Sequence, residues 1–171
     1  MQDKETTKLS EFTDVLRAPT KGRLLSLDIG KKRIGLAVSD ELQFSVRRVG
    51  VLERKSWKKV LKKITAYLEE FDAVGLVLGL PYNFDGSESE MSKEARRLAR
   101  NFSLSLDVPV FLQDERVSTY EARGNLWKRG LSEKEMREKV DSEAAAIILS
   151  DFIEARNQML NSGERLVISS E

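Results

Sequence analysis

The spacing of apolar positions changes several times along the chain, and each change marks an element. From Ser56 onward, Trp57, Val60, Leu61, Ile64, Leu68 and Phe71 recur every three or four residues, which predicts a helix with one buried face. Lys58, Lys59, Lys62 and Lys63 fall on its other side, toward water. Upstream the period shortens to two. Residues 23–29 read as a strand with Leu25, Leu27 and Ile29 on one face and Asp28 on the other. Residues 34–39 read as a second strand, and residues 30–33 between them are short enough to turn an antiparallel hairpin. Residues 48–52 complete a three-stranded meander.

Residues 73–78 are continuously apolar and run into Gly79-Leu80-Pro81, the pattern of a strand buried on both faces, as in parallel pairing. Ser87 and Glu90 offer a capping box for a following helix, whose inward stripe is Met91, Ala95, Leu98, Ala99 and Phe102. Residues 108–112 are the next buried strand. Thr119 can cap a helix through 128, whereas residues 129–139 are charged, contain Gly130 and read as a loop or a frayed short helix. A last helix is expected over 141–158. Three antiparallel strands followed by alternating helix and strand predict an α/β fold: a mixed five-stranded sheet with helices on both faces. Residues 1–20 read as an N-terminal tail with a short helix at 9–16, residues 21–160 as the folded domain, and residues 161–171 as a C-terminal tail.

Composition narrows the chemistry. A chain of 171 residues, 40% hydrophobic, fills one domain core. It has no apolar run of about 20 residues, as a membrane span needs, and no signal-like start, so a cytoplasmic protein with no membrane partner is expected. Cys and His are both absent. Disulfides, thiolate nucleophiles, imidazole bases and Cys- or His-based metal sites are therefore excluded. Carboxylate sites suit hard cations, Mg²⁺ or Mn²⁺. The net charge of +1 means that polyanion binding has to rest on local basic patches.

Four features carry candidate chemistry. Asp28 alternates onto a face of its own within an apolar strand, and a half-buried carboxylate needs a cation or hydrogen bonds to offset desolvation; it also suits a turn that bonds the amides of Gly30 or Lys31. Asp114 and Glu115 follow a buried strand at its carboxyl end, where sites gather in α/β sheets, although Asp-Glu-Arg also reads as a solvated loop opening. Only one of the two can share a face with Asp28. Asp141 lies on the stripe of Ala144, Ala145, Ile148 and Phe152, where small Ala144, Ala145 and Ala146 allow close approach to the sheet; it is also a good N-cap residue. The loop from Gly79 to Ser87, with Asn83, precedes a helix whose free amides suit a phosphate. Lys31, Lys32, Arg33, Arg116 and Arg123 are candidate contacts to nucleic-acid backbone, and Tyr120 and Trp127 suit either base stacking or core packing.

Taken together, four stretches resemble the YqgF/RuvX family of Holliday junction resolvases, also regarded as nucleases that mature the small-subunit ribosomal RNA precursor. They are Leu27-Asp28-Ile29-Gly30 through Arg33 to Asp40, Gly79-Leu80-Pro81 through Asp85-Gly86-Ser87, Asp114-Glu115-Arg116-Val117-Ser118-Thr119, and Val140-Asp141-Ser142. Lys31 and Glu143 depart from the family pattern, and Glu143 adds an acid near the site. The resemblance implies a ribonuclease H-like fold and a Mg²⁺- or Mn²⁺-dependent endonuclease. Asp28, Asp114 or Glu115, and Asp141 would then be the metal-binding carboxylates, with Asp28, Glu115 and Asp141 catalytic. The implied partners are precursor ribosomal RNA or branched DNA, with the ribosome a further one, and the implied state is a monomer or homodimer.

Two rivals remain. Asp28-Ile29-Gly30 with its hairpin also resembles the first phosphate loop of actin-like phosphotransferases, but no second glycine-rich phosphate loop or related second domain is visible. A non-catalytic RNA- or ribosome-associated factor with the same fold also fits the near-zero net charge.

Overall fold

The structure, a computed structural model, describes residues 15–81, 83, 85–115 and 132–168. The helix expected over 119–128 therefore lies outside the described residues, as do Arg116, Tyr120, Arg123 and Trp127 and all but the end of the helix expected at 9–16. Five strands, β1 (Arg23–Ile29), β2 (Arg33–Ser39), β3 (Val46–Glu53), β4 (Ala73–Pro81) and β5 (Val110–Glu115), form one sheet in the order β3-β2-β1-β4-β5. The first three pair antiparallel, whereas β1, β4 and β5 run parallel. Consequently the carboxyl ends of β1, β4 and β5 share one end of the sheet, with the β1–β2 hairpin turn beside them.

Helices α1 (Trp57–Glu70) and α2 (Glu90–Ser105) cover one face. Leu25, Leu27, Ile29 and Leu78 pack there against Ile64 and Phe102. The long helix α3 (Glu133–Ile168) covers the other, where Leu24, Val77 and Phe111 meet Ile148 and Phe152. Consecutive residues such as Leu24 and Leu25, or Val77 and Leu78, thus enter opposite cores. This explains why the strands read as unbroken apolar runs. Among the described residues, no helix is long and apolar enough to cross a membrane.

Several boundaries differ from the sequence reading, each for a local reason. The last helix begins at Glu133, because Ser132 and Glu135 form a reciprocal capping box: the Glu135 amide donates to Ser132 Oγ at 3.2 Å and the Ser132 amide donates to Glu135 Oε2 at 3.1 Å. Residues 133–139 are accordingly helical, and Asp141 sits two turns inside α3 instead of capping it. The helix also continues to Ile168, well past 158. The cap of α2 is Ser89, whose hydroxyl accepts from the Ser92 amide at 3.0 Å; Ser87 instead bonds Asp85 and Asn83 within the preceding loop. Finally β5 runs to Glu115, so Asp114 and Glu115 belong to the strand itself.

The segment before β1 is tied down. Val15–Arg17 makes a 3-10 turn, and Ala18 is buried against the α3 face. The buried Arg156 of α3 donates to the Pro19 carbonyl at 2.9 Å and to Gln43 Oε1, and Gln43 Nε2 donates to the carbonyls of Pro19 (2.9 Å) and Gly22 (3.0 Å).

Candidate active site

The site is built by letting α3 lie directly on the sheet. Asp28 of β1 and Gly35 of β2 are cross-strand partners, and α3 passes over Gly35 so closely that a Cβ there would meet the Asp141 carbonyl oxygen at 1.9 Å. A Cβ on Gly79 of β4 would likewise fall 2.4 Å from Ile148 Cδ1. Between these points the buried Ser26 hydroxyl donates to the Ala145 carbonyl at 2.7 Å. Ala144 and Ala145 are fully buried at this contact, so small side chains on both elements set the distance.

The approach brings Asp141 to Asp28, which lies on the α3 face with Leu24 and Ser26. Burial, together with the nearby Asp141 carboxylate, pushes the Asp28 carboxyl up to about 7. Asp28 receives no hydrogen bond among the described residues, whereas Asp141 accepts one from Arg33 Nε at 2.7 Å. Arg33, read from sequence as a nucleic-acid contact, is thus the counter-ion of Asp141. Its neighbours Lys31 and Lys32 are exposed in the hairpin turn, which closes through the Gly30 amide donating to the Arg33 carbonyl at 2.8 Å.

On β5, alternation decides which acid faces α3. Phe111 packs against Phe152 of α3, with ring centroids 5.4 Å apart, so Gln113 and Glu115 share that face and Asp114 takes the opposite one. Glu115 is buried and Asp114 exposed. The strand order places β4 between Glu115 and Asp28, two inter-strand steps of about 4.8 Å each. Among the described residues no three acidic side chains form a ready metal cluster: Asp28 and Asp141 are brought together, and Glu115 shares their face at a distance. Glu143 points instead toward β3, with Oε2 3.8 Å from Arg48 Nη1.

The donor set fits a hard cation. It consists of carboxylate oxygens in a chain without Cys or His, and Asp28 is a desolvated carboxyl pushed up further by a second carboxylate, Asp141, an arrangement that a divalent ion would relieve.

The glycine-containing loop after β4 is held by its own side chains. Asn83 Nδ2 donates to Ser87 Oγ at 3.0 Å, and Ser87 donates to Asp85 Oδ1 from its hydroxyl at 2.6 Å and from its amide at 2.9 Å; the two bonds from Ser87 hold the Asp85 carboxyl below its usual range. Ser89 already occupies the Ser92 amide at the start of α2, which leaves fewer free amides there for a phosphate than the sequence suggests. Two residues that the sequence did not single out brace the hairpin from the other face. Arg54 Nη1 donates to the Gly30 carbonyl at 3.1 Å while Nη2 pairs with Glu94 of α2. Hydrogen bonds from Arg97 and Arg54 hold the Glu94 carboxyl at about 2. The Glu94–Arg97 spacing is legible as a helical pair, but nothing local announces Arg54.

A model of the RuvX family, described as Holliday junction resolvase, matches residues 22–155. A protein of Anaeromyxobacter sp. (strain K) named "Putative pre-16S rRNA nuclease" is 41% identical over 134 residues, covering 78% of this chain and 98% of that one. A Bradyrhizobium protein of the same name is 36% identical over 148 residues, 86% of this chain and 92% of its own. Among solved structures, Thermus thermophilus RuvC aligns at 14% identity with a TM-score of 0.46, covering 80% of this chain and 96% of that chain. The sheet order, with antiparallel β1–β2–β3 and parallel β1, β4 and β5, is that of a ribonuclease H-like fold. With the family model spanning most of the chain and relatives aligned along nearly their whole length, this chain belongs to the RuvX family.

Proposed function

We propose that this chain is a divalent-metal-dependent endonuclease that hydrolyses phosphodiester bonds of structured nucleic acid in the cytoplasm, with the precursor of 16S ribosomal RNA as its substrate. The observation that carries the proposal is the half-buried Asp28 carboxyl, raised to about 7 and facing Asp141 at the carboxyl end of β1. Relatives named for pre-16S rRNA support the choice of substrate. Four-way junction DNA is the second reading, favoured by the description of the family model.

In this reading Asp28, Glu115 and Asp141 hold Mg²⁺ or Mn²⁺, with Asp114 on the opposite face left outside the set. When bound, such an ion lowers the pKa of an attacking water and offsets charge on the leaving oxygen. The protein's own groups do the rest. Asp28, whose carboxyl is pushed up to about 7 by burial and by Asp141, would have to be deprotonated to hold a cation, so loading would be favoured by rising pH. Arg33 orients Asp141 through its 2.7 Å bond; on metal binding the Asp141 carboxylate would exchange Arg33 for the cation, leaving the guanidinium for a substrate phosphate. Lys31 and Lys32, at the exposed turn beside the site, contact the backbone; Asn83 of the loop after β4, and Arg116 and Arg123, basic residues that follow the acidic pair in the chain, are assigned to the same contact.

The test is cleavage of labelled precursor ribosomal RNA and of junction DNA by wild type and Asp28→Asn, with and without Mg²⁺ or Mn²⁺. Cation-dependent cutting of the RNA that the substitution abolishes is the expected result. Cutting at the wild-type rate by Asp28→Asn rejects the site, and cutting of the junction alone replaces the substrate.

A further inference from the structure

From the charge pattern of α1 and the groove beside it, we infer that the Lys55–Lys63 segment is a second phosphate-backbone surface, which holds nucleic acid flanking the cut. The inference rests on the nuclease reading for the identity of its ligand. Between 55 and 63 the chain carries five lysines and no acid, in a protein whose net charge is only +1. All five are exposed. Lys55 has one ion-pair partner, Glu53 at 3.9 Å; Lys58, Lys59, Lys62 and Lys63 have none among the described residues.

This arrangement works against the helix that bears it. Acids are favoured in a first turn and bases in a last turn, each by about 0.3–1 kcal/mol. Helix α1 has the reverse: no acid in its first turn, which carries Lys58 and Lys59, and no base in its last, which ends in Glu69-Glu70. Lys58 and Lys62, and likewise Lys59 and Lys63, are like charges at i,i+4, an unfavourable spacing. A solvated surface has no need of such a pattern, but a polyanion site does.

Lys55, Lys59, Lys62 and Lys63 line a groove of about 650 Å³ between α1 and the edge strand β3, floored by Val51 and Leu52. The groove lies on the sheet face opposite the one that bears Asp28, and it reaches the same end of the sheet as the proposed active site, where the β1–β2 hairpin turns. Val51 is the ladder partner of Gly35, itself the partner of Asp28, and the Arg54 amide next to Lys55 donates to the Lys32 carbonyl at 2.8 Å. The lysine-bearing half of α1 begins at the same end of the sheet as the hairpin. A track of exposed cations therefore runs from Lys31 and Lys32 through Lys55 to Lys59 and Lys63. Along α1 the lysines recur once per turn, about 5.4 Å of rise, a repeat on the scale of successive phosphates in a strand. That continuity, from a site that would cut nucleic acid, favours a sugar-phosphate backbone over an acidic protein as the occupant.

The test compares the Asp28→Asn protein with the same protein carrying Lys59→Gln, Lys62→Gln and Lys63→Gln. Binding of a fluorescent 16S precursor RNA fragment is measured in EDTA from 50 to 300 mM salt. Losing three phosphate contacts should reduce the slope of log affinity against log salt by about 2 and weaken binding about ten-fold or more at low salt, with an unchanged or higher Tm because like charges are removed. An unchanged slope overturns the inference. So does an equal loss when three lysines outside this segment, such as Lys93, Lys134 and Lys139, are replaced. An unchanged RNA slope together with lysine-dependent binding of an acidic protein assigns the groove to that partner instead. The two proposals separate cleanly: a lysine-dependent slope without any cleavage by wild type sinks only the nuclease reading, while metal-dependent cleavage with a lysine-independent slope sinks only this one.

Discussion

Gly35 lies beneath Asp141 with no room for a side chain: the Asp141 carbonyl oxygen occupies the place a Cβ would take, 1.9 Å away. Since Gly35 is also the ladder partner of Asp28, one missing side chain lets the two carboxylates face each other. The clash is with helix backbone, which cannot rotate away. Gly35→Ala is therefore expected to lower stability by about 1–3 kcal/mol or more, as overpacked cores do, and to cut nuclease activity more steeply than Gly50→Ala, at which a Cβ would meet nothing within 4 Å. Because Gly50 has a φ of 154°, its replacement carries a modest backbone strain of its own, so activity per folded molecule is the quantity to compare.

Asp28 links the site to stability. Its carboxyl titrates near 7 in the folded protein against an ordinary value of 3.8. The folded state therefore binds the proton more tightly, and this contribution to stability is complete below about pH 4 and lost as pH rises through 7. Raising this carboxyl from 3.8 to about 7 corresponds to at most about 4 kcal/mol, reduced by the group's partial exposure. Metal-free Asp28→Asn should melt several degrees above wild type at pH 8, with the gain shrinking to nothing as pH falls toward 4. Thermal melts in EDTA across this range check it; a gain that is constant with pH would show that Asp28 does not titrate there.

Burial is the larger cause of the Asp28 shift and Asp141 the smaller. In Asp141→Asn the Asp28 carboxyl should therefore titrate lower than in wild type, yet still above the ordinary range. Carboxyl-carbon NMR titration reads this directly. Arg33 and Asp141 should be coupled by about 1 kcal/mol in a double-mutant cycle of Arg33→Gln and Asp141→Asn, measured by urea denaturation without divalent ions. A coupling of zero would mean that the 2.7 Å bond is not maintained in solution.

Glu94 carries the opposite pH signature. Its carboxyl is held at about 2 by Arg97 and Arg54, below the ordinary 4.5, so the stability it contributes is present above pH 4.5 and lost as pH falls toward 2. Glu94→Gln should cost about 1–2 kcal/mol at pH 7, and the difference from wild type should close in acid melts. Because Arg54 also bonds Gly30, hydrogen exchange at the β1–β2 turn should quicken in the same variant.

Arg156 holds the segment before β1. Arg156→Met leaves Gln43 Oε1 without its donor and the Pro19 carbonyl with only its bond from Gln43 Nε2, at a cost of about 1–3 kcal/mol for a buried acceptor left unsatisfied. Limited proteolysis should cut residues 15–22 faster in this variant, with the pattern elsewhere unchanged.

Local periodicity was enough to read the architecture. The alternation in β1 placed Asp28 opposite Leu25, Leu27 and Ile29, the three- and four-residue spacing gave α1 and its solvated lysines, and the stripe of Asp141 with Ala144, Ala145, Ile148 and Phe152 marked the face of α3 that meets the sheet. These features follow from the 2.0 and 3.6 residue periods of strand and helix, which a chain records in its own order. Which element ends where was less legible: Ser132 outcompeted Asp141 as a cap through its reciprocal bonds with Glu135, and Ser89 outcompeted Ser87 because its hydroxyl meets the Ser92 amide while Ser87 is held by Asp85 and Asn83, so residue type alone does not decide the cap.

What the chain order could not contain is distance between remote residues. The separation of Asp28 from Asp141, the capture of Asp141 by Arg33, and the face of β5 that carries Glu115 are settled only when α3 docks over Gly35, Ser26 and Gly79. That docking is a packing event among residues remote in the chain, such as Ser26 with Ala145 and Gly79 with Ile148. Sequence thus determined the fold, the family and the acids available, whereas the folded chain decided which acids meet, because electrostatic coupling depends on separation in space and on the water excluded between charges.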